Sequence, residues 1–319
     1  MDDKIIGFDV SKKFFDFAYL KSNKKWFNQQ LDYDKNGLSK LVKIIPDKSI
    51  CVMEATGPYY LKLANFLYSK GFKVCVVNPL VIRRYSQMLL KRTKTDKADA
   101  QLIAMYGKNQ SPDFWKPNNE NIQRIRQMNS VLESLIKERT SWLNRIEAAK
   151  QDDNFDKSSL KIMKQMIILI NRRVQKLEVE LDKIIEADFE QENSILRSIP
   201  GIGRKTSIVM LAITGGFTKF ESYKQFSSYV GLCPRIFQSG TSVRGKARIC
   251  KVGTSRVRQL LYLCALTASK VNKACKELYN RLIEKGKPKK LALIAVANKL
   301  IRQAFGCIKS MTYYNAELC

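Results

Sequence analysis

Lys4-Ile5-Ile6-Gly7-Phe8-Asp9-Val10 is an apolar run that carries one carboxylate near its end. Its length and β-branched content read as a buried strand. Phe14 to Leu20 alternates and pairs with it as a hairpin, and Trp26 to Leu31 supplies a third strand. Leu38 to Ile45 suits a helix that Pro46 ends. Ser49 to Glu54 (SICVME) is a second buried strand that ends on an acid, followed by the loop Ala55-Thr56-Gly57-Pro58. Tyr59 to Ser69 is an amphipathic helix closed by Gly71. Lys73 to Val77 is the last strand, stopped by Asn78-Pro79, and helices follow from Val81.

Three strands, a helix, then strand, helix, strand and helix is the order of a ribonuclease-H-like domain. This α/β domain is expected over residues 1–115. A different pattern follows over 116–190. Ile125, Met128, Leu132, Leu135, Arg139, Trp142 and Ile146 step by three and four, and so do Met163, Ile167, Ile170, Val174, Leu177, Leu181 and Ile184. Gln151-Asp152-Asp153-Asn154 breaks the two segments apart. The pattern predicts an antiparallel coiled-coil hairpin for spacing or dimerisation, or a plain pair of bundle helices. Residues 191–319 read as a helical domain.

The chain has 319 residues and a net charge of +28, far more than solubility requires. An excess of this kind favours a polyanionic partner, because each cation that neutralises a phosphate releases condensed counterions. The charge is also blocked: from Ser222 to Lys276 there is no acidic residue and there are eleven Lys or Arg. A codon bias towards Lys raises the total but does not make such blocks. Histidine is absent, which removes His-based triads, His general bases and His-ligated metals. The eight Cys form no C-x-x-C pair and read as free thiols rather than zinc ligands. With no signal peptide and no long uncharged apolar run, a soluble cytoplasmic protein with no membrane partner is expected.

Asp9 and Glu54 close two strands that are neighbours in a ribonuclease-H-like sheet. Two carboxylates so placed call for a cation, and hard oxygen ligands select Mg²⁺ (or Mn²⁺). Asp96 and Asp99 share one helical face in Thr95-Asp96-Lys97-Ala98-Asp99-Ala100, and that face can complete a clamp for in-line phosphoryl displacement. Taken alone, each is a strand-end or first-turn acid of ordinary kind. Arg83, Arg84, Lys91, Arg92, Lys94 and Lys97 crowd the same stretch.

Pro200-Gly201-Ile202-Gly203 between two helical patterns reads as a helix-hairpin-helix-like turn, with Gly201 and Gly203 admitting a DNA phosphate and Arg204 and Lys205 beside it. A plain tight turn fits the same residues. Downstream, Gly231-Leu232-Cys233-Pro234-Arg235, then Gln238-Ser239-Gly240-Thr241-Ser242, then Arg244-Gly245-Lys246-Ala247-Arg248 and Lys251 place small hydroxyl residues among cations. Composition alone makes this a flexible turn; surrounded by cations it could also present a Ser nucleophile to a phosphate.

These segments together resemble the DEDD-type, RuvC-like insertion-sequence transposases that include the Piv site-specific DNA invertase. The likeness is carried by Ile6-Gly7-Phe8-Asp9-Val10-Ser11, Met53-Glu54-Ala55-Thr56-Gly57, Lys94 to Ala100, Ile199 to Gly203 and Gly231 to Gly240. It implies a RuvC-like domain, a coiled coil and a C-terminal transposase domain. It implies that Asp9, Glu54, Asp96 and Asp99 are the family's four metal-holding acids and that the family's nucleophilic Ser maps onto Ser239, with Ser242 a second candidate in the same loop. Members attack the scissile phosphate to give a phosphoserine–DNA intermediate at a site composed from both domains. They assemble as dimers that join into tetramers, and an element-encoded guide (bridge) RNA pairs with donor and target DNA. A RuvC-like structure-selective endonuclease, cutting with water and no covalent intermediate, is the alternative reading.

Overall fold

The computed structural model describes residues 4–90, 95–117, 119–235, 238–239, 243–244 and 248–317, with the backbone alone for 238, 239, 243 and 244. The chain divides into two compact units, Met1–Pro117 and Asn118–Cys319.

The first unit is a five-stranded mixed sheet in the order β3-β2-β1-β4-β5. Its strands are β1 (Ile5–Val10), β2 (Phe14–Leu20), β3 (Trp26–Asp32), β4 (Ile50–Glu54) and β5 (Lys73–Val77). The first three run antiparallel, and β4 and β5 lie parallel to β1 on its other side. This is the mixed α/β architecture expected, consistent with a ribonuclease-H-like domain. Helices α1 (Lys35–Ile44) and α2 (Tyr60–Ser69) cover one face, where Ile6, Phe8, Phe15, Phe17, Met53 and Leu63 form the core. Helices α3 (Pro79–Met88) and α4 (Asp96–Gln110) belong with Val52, Cys75, Ile82, Tyr85 and Ile103 in a second core.

Two helices begin earlier than periodicity alone predicts, because polar caps rather than apolar residues open them. Asp34 accepts from the Gly37 amide at 2.7 Å and starts α1 at Lys35. Asn78 accepts from the Leu80 amide at 2.9 Å, and Pro79 takes the first turn of α3, where a missing N–H costs nothing.

The second unit opens with two long helices, α5 (Glu120–Ala149) and α6 (Lys157–Asp188). They run antiparallel: Ile125 and Met128 of α5 pack with Leu181, Ile184 and Ile185 of α6, while Leu132 packs with Ile170 and Val174. Arg139 lies half-buried on this seam and donates to Asn171 Oδ1 at 3.3 Å; its Nε is buried without a partner among the described residues. Six helices follow: α7 (Glu190–Ser198), α8 (Arg204–Thr214), α9 (Tyr223–Val230), α10 (Ser255–Val271), α11 (Lys273–Glu284) and α12 (Lys289–Ser310). Leu196, Leu211, Phe226, Leu261, Ala265, Leu300 and Phe305 are among the buried residues of their common core. α12 is long and apolar enough to cross a membrane by length and composition, but its apolar side is taken up by this core.

Periodicity misses one feature of this helix-rich unit. Among the described residues, the stretch between α9 and α10 holds four two-residue strands: β6 (Pro234–Arg235) pairs with β9 (Arg248–Ile249), and β7 (Gln238–Ser239) pairs with β8 (Val243–Arg244). Just beyond the β6–β9 pair, Cys233 and Cys250 bring their sulfurs to 3.3 Å.

Candidate active site and nucleic-acid interface

The β1–β4 register runs from Ile5 opposite Ile50 to Phe8 opposite Met53. One step further brings Asp9 level with Glu54 at the strand ends. Side chains alternate across a sheet, so residues 5, 7 and 9 of β1 share a face with residues 50, 52 and 54 of β4. That is the face α4 covers, since a Cβ built on Gly7 would lie 2.2 Å from the Ala100 carbonyl oxygen. Only glycine lets the helix backbone approach the strand so closely. The first turn of α4 is fixed by Thr95, whose hydroxyl accepts from the Ala98 amide at 3.2 Å. Asp96 is exposed there and Asp99 half-buried. Glu54 accepts a hydrogen bond from the Thr56 hydroxyl at 2.8 Å.

The surroundings of Asp9 disfavour its charge. Burial pushes the Asp9 carboxyl up to about 6, and the negative charges of Asp99, Asp96, Glu54 and Asp16, in that order, push in the same direction. Among the described residues no Lys or Arg forms an ion pair with Asp9, Glu54 or Asp96. An all-carboxylate cluster with one member driven towards its neutral form is a donor set that suits a hard divalent cation. As the side chains lie, no three of the described acids are gathered closely enough to hold a metal ion, so coordination requires them to turn towards one another.

Asp16 is a fifth acid that sequence reasoning missed. It stands directly opposite Asp9 in the β1–β2 register, is only 5% exposed, and accepts from Gln30 Nε2 at 2.8 Å. An alternating strand with an acid at this position signals a solvent face. The signal that could have found it is the pairing: the Phe8–Phe17 and Asp9–Asp16 steps of the hairpin put two acids side by side.

Ser239 lies on β7 opposite Val243, and Ser242 falls outside the described residues. Of the proposed phosphate contacts, Arg83 and Arg84 are exposed on α3, and Arg235, Arg248 and Lys251 are exposed around the short strands. Lys91, Arg92, Lys94 and Lys246 lie outside the described residues, and the backbone alone is described for Arg244. Arg204 is turned inwards: it pairs with Asp182 of α6 at 2.8 Å and with Glu178 at 3.6 Å. Lys205 is half-buried, and burial followed by the nearby Arg256 lowers its ammonium pKa. Gly201 has φ +107°, and a Cβ there would meet the Ala268 methyl at 2.6 Å. Packing on α10 therefore requires this glycine whether or not a phosphate approaches. Gly203 caps the start of α8, with open space where a Cβ would be.

Known proteins resemble this sequence along nearly the whole chain. Residues 6–150 match the IS110-type DEDD transposase domain, and residues 193–280 match the transposase family of IS116, IS110 and IS902. The pilin gene-inverting protein of Moraxella lacunata is 32% identical over 97% of this chain and 97% of its own length. The transposase for insertion sequence element IS1111A of Coxiella burnetii is 23% identical over 93% of this chain and 87% of its own. By class the protein is thus a DNA recombinase of the transposase type. The chain belongs to the IS116/IS110/IS902 family of transposases.

Proposed function

We propose that this protein moves an insertion sequence by cutting and rejoining DNA, with Mg²⁺ or Mn²⁺ held by Asp9, Glu54, Asp96 and Asp99. The observation that carries this reading is the placing of Asp9 level with Glu54 at the strand ends on the sheet face that α4 covers, where burial first and then the charges of Asp99, Asp96 and Glu54 raise Asp9 to about 6. When bound, the cation would neutralise phosphate oxygens and sharpen the nucleophile for in-line displacement. Thr56 orients Glu54 through its hydroxyl, and the Thr95 cap holds the turn that presents Asp96 and Asp99. Ser239 is the nucleophile of this proposal. Its Oγ–H loses a proton as the Oγ–P bond forms, the phosphodiester P–O bond breaks, and the departing deoxyribose oxygen takes a proton.

The acid-free block from Ser222 to Lys276 supports nucleic acid as the partner. Donor and target DNA are the substrates in this reading, an element-encoded guide RNA supplies the sequence choice, and residues 116–190 join copies as a coiled coil into dimers and then tetramers. The Gly201 to Gly203 turn serves as a helix-hairpin-helix contact to the backbone, through Gly203 rather than Arg204.

A denaturing gel of the reaction with element-end DNA tests the chemistry. A protein–DNA adduct that needs divalent metal and is lost in Ser239→Ala supports the proposal. Cleavage by Ser239→Ala at the wild-type rate would mean water is the nucleophile and would favour a RuvC-like structure-selective nuclease. Sequencing RNA co-purified from the native operon tests the guide: a discrete structured RNA from the element's flank is expected, and random cellular RNA would remove this part of the reading.

A further inference from the structure

The last helix and the segment after it enclose a surface cavity of about 330 Å³ in the second unit. It lies beyond residues 193–280, the part of this unit that matches the transposase family. Its volume is within the range that holds small organic ligands, roughly 300–1,000 Å³. Lys299, Arg302, Gly306 and Ser310 line it from one face of α12, at the three- and four-residue steps that stack side chains. Gly306 leaves the cavity open, because nothing lies within 4 Å of where its Cβ would be.

The chain leaves the helix at Met311, which has φ +50°, and Thr312 and Tyr313 beyond it also line the cavity. Tyr313 is 63% exposed, yet its neighbours are tied down. The Tyr314 amide donates to Ser198 Oγ at 2.9 Å and the Tyr314 hydroxyl to Asn272 Oδ1 at 3.1 Å. The Thr312 and Ser310 hydroxyls are 2.6 Å apart. A large aromatic ring is therefore held out on an anchored segment, with little ordering left to lose on binding.

The charge of the cavity has one sign. None of its lining residues is acidic, and from Lys285 to Ala316 the chain has seven Lys or Arg and no acid. Among the described residues neither Lys299 nor Arg302 pairs with a carboxylate; Arg302 rests its guanidinium 5.9 Å over the Tyr223 ring. Two cations beside an exposed aromatic ring match the two halves of one nucleotide: an anionic phosphate and a flat base.

We propose that this cavity binds one nucleotide of an unpaired strand, its phosphate on Lys299 and Arg302 and its base stacked on Tyr313. The inference rests on the proposed function only in taking nucleic acid as the ligand. A strand opened during recombination and an unpaired loop of RNA offer the same chemistry.

The test is fluorescence anisotropy on the full chain with labelled oligothymidylate, oligouridylate and a duplex DNA. Tyr313→Ala is expected to bind unpaired strands about ten-fold more weakly, the loss of one stacked base. Tyr313→Phe should bind as wild type and duplex affinity should not change. A ten-fold loss confined to oligothymidylate or to oligouridylate identifies DNA or RNA as the source. Arg302→Gln should lower the salt dependence of unpaired-strand binding. Wild-type affinity of Tyr313→Ala for both unpaired strands overturns the proposal, and so does an equal loss for duplex. Because Tyr313 is exposed, an unchanged melting curve is expected. The Ser239→Ala adduct gel reads the recombinase chemistry separately, so either reading can fail while the other stands.

Discussion

Gly7 of β1 and Ala100 of α4 meet backbone to backbone: a methyl group on Gly7 would sit 2.2 Å from the Ala100 carbonyl oxygen and 2.3 Å from the Ala104 nitrogen. Neither partner is a flexible side chain, so α4 itself must back away. Gly7→Ala is expected to cost about 1–3 kcal/mol, the range for overpacking. Strand cleavage should fall more than stability, because the same shift carries Asp96 and Asp99 away from Asp9. Thermal melting and a cleavage assay on one preparation check this; full cleavage in a destabilised variant would separate α4 from the chemistry.

Asp9→Asn should make the metal-free protein more stable at neutral pH while abolishing cleavage. The folded state raises this carboxyl from 3.8 to about 6, so between those values the native state holds more protons than the unfolded chain. Stability from this group therefore falls as pH rises from about 4 to 6, and the penalty is fully present above 6. With allowance for partial solvent screening it amounts to about 1–2 kcal/mol. Melting in chelator from pH 4 to 7 should show wild type and Asp9→Asn diverging as pH rises, and added Mg²⁺ should narrow the gap. Parallel curves across the window would show that Asp9 is not under this strain.

Asp16→Asn keeps an oxygen for Gln30 and removes one negative charge opposite Asp9. The expected outcome is a normal fold and an Mg²⁺ requirement for cleavage raised by about ten-fold, the lower end for residues that support metal ligands. A Mg²⁺ titration of the cleavage rate measures it. An unchanged midpoint would leave Asp16 as part of the strand pairing only.

Arg204 and Arg248 should separate structure from binding. Arg204→Met breaks the bridge to Asp182 and should cost about 0.5–1 kcal/mol of stability, with the salt dependence of DNA binding unchanged. Arg248→Ala, at an exposed position, should leave melting unchanged and lower the slope of log affinity against log salt by about one. The opposite pattern would assign the phosphate contact to Arg204.

The elements of the first unit were readable because each is short, bounded and strongly patterned. The apolar runs ending at Asp9 and Glu54 could hardly be anything but neighbouring buried strands, and Thr95 ahead of Asp96 marks a helix start. The two-residue strands around Ser239 were not readable, since no periodicity can be expressed in two residues. Arg204 read as a free cation beside a glycine turn because its partners, Asp182 and Glu178, lie 22 and 26 residues away on another helix.

What the sequence determined by itself is the order of strands and helices, the blocked positive charge and the position of acids at two strand ends and one helix start, because local pattern and composition are properties of neighbouring residues. The tertiary structure alone decided which acids share a field. It buried Asp16 opposite Asp9 and brought the first turn of α4 over the same sheet face through the contact at Gly7. It also closed a cationic cavity against Tyr313. Burial and electrostatic coupling depend on distances between segments far apart in the chain, and only packing sets those distances.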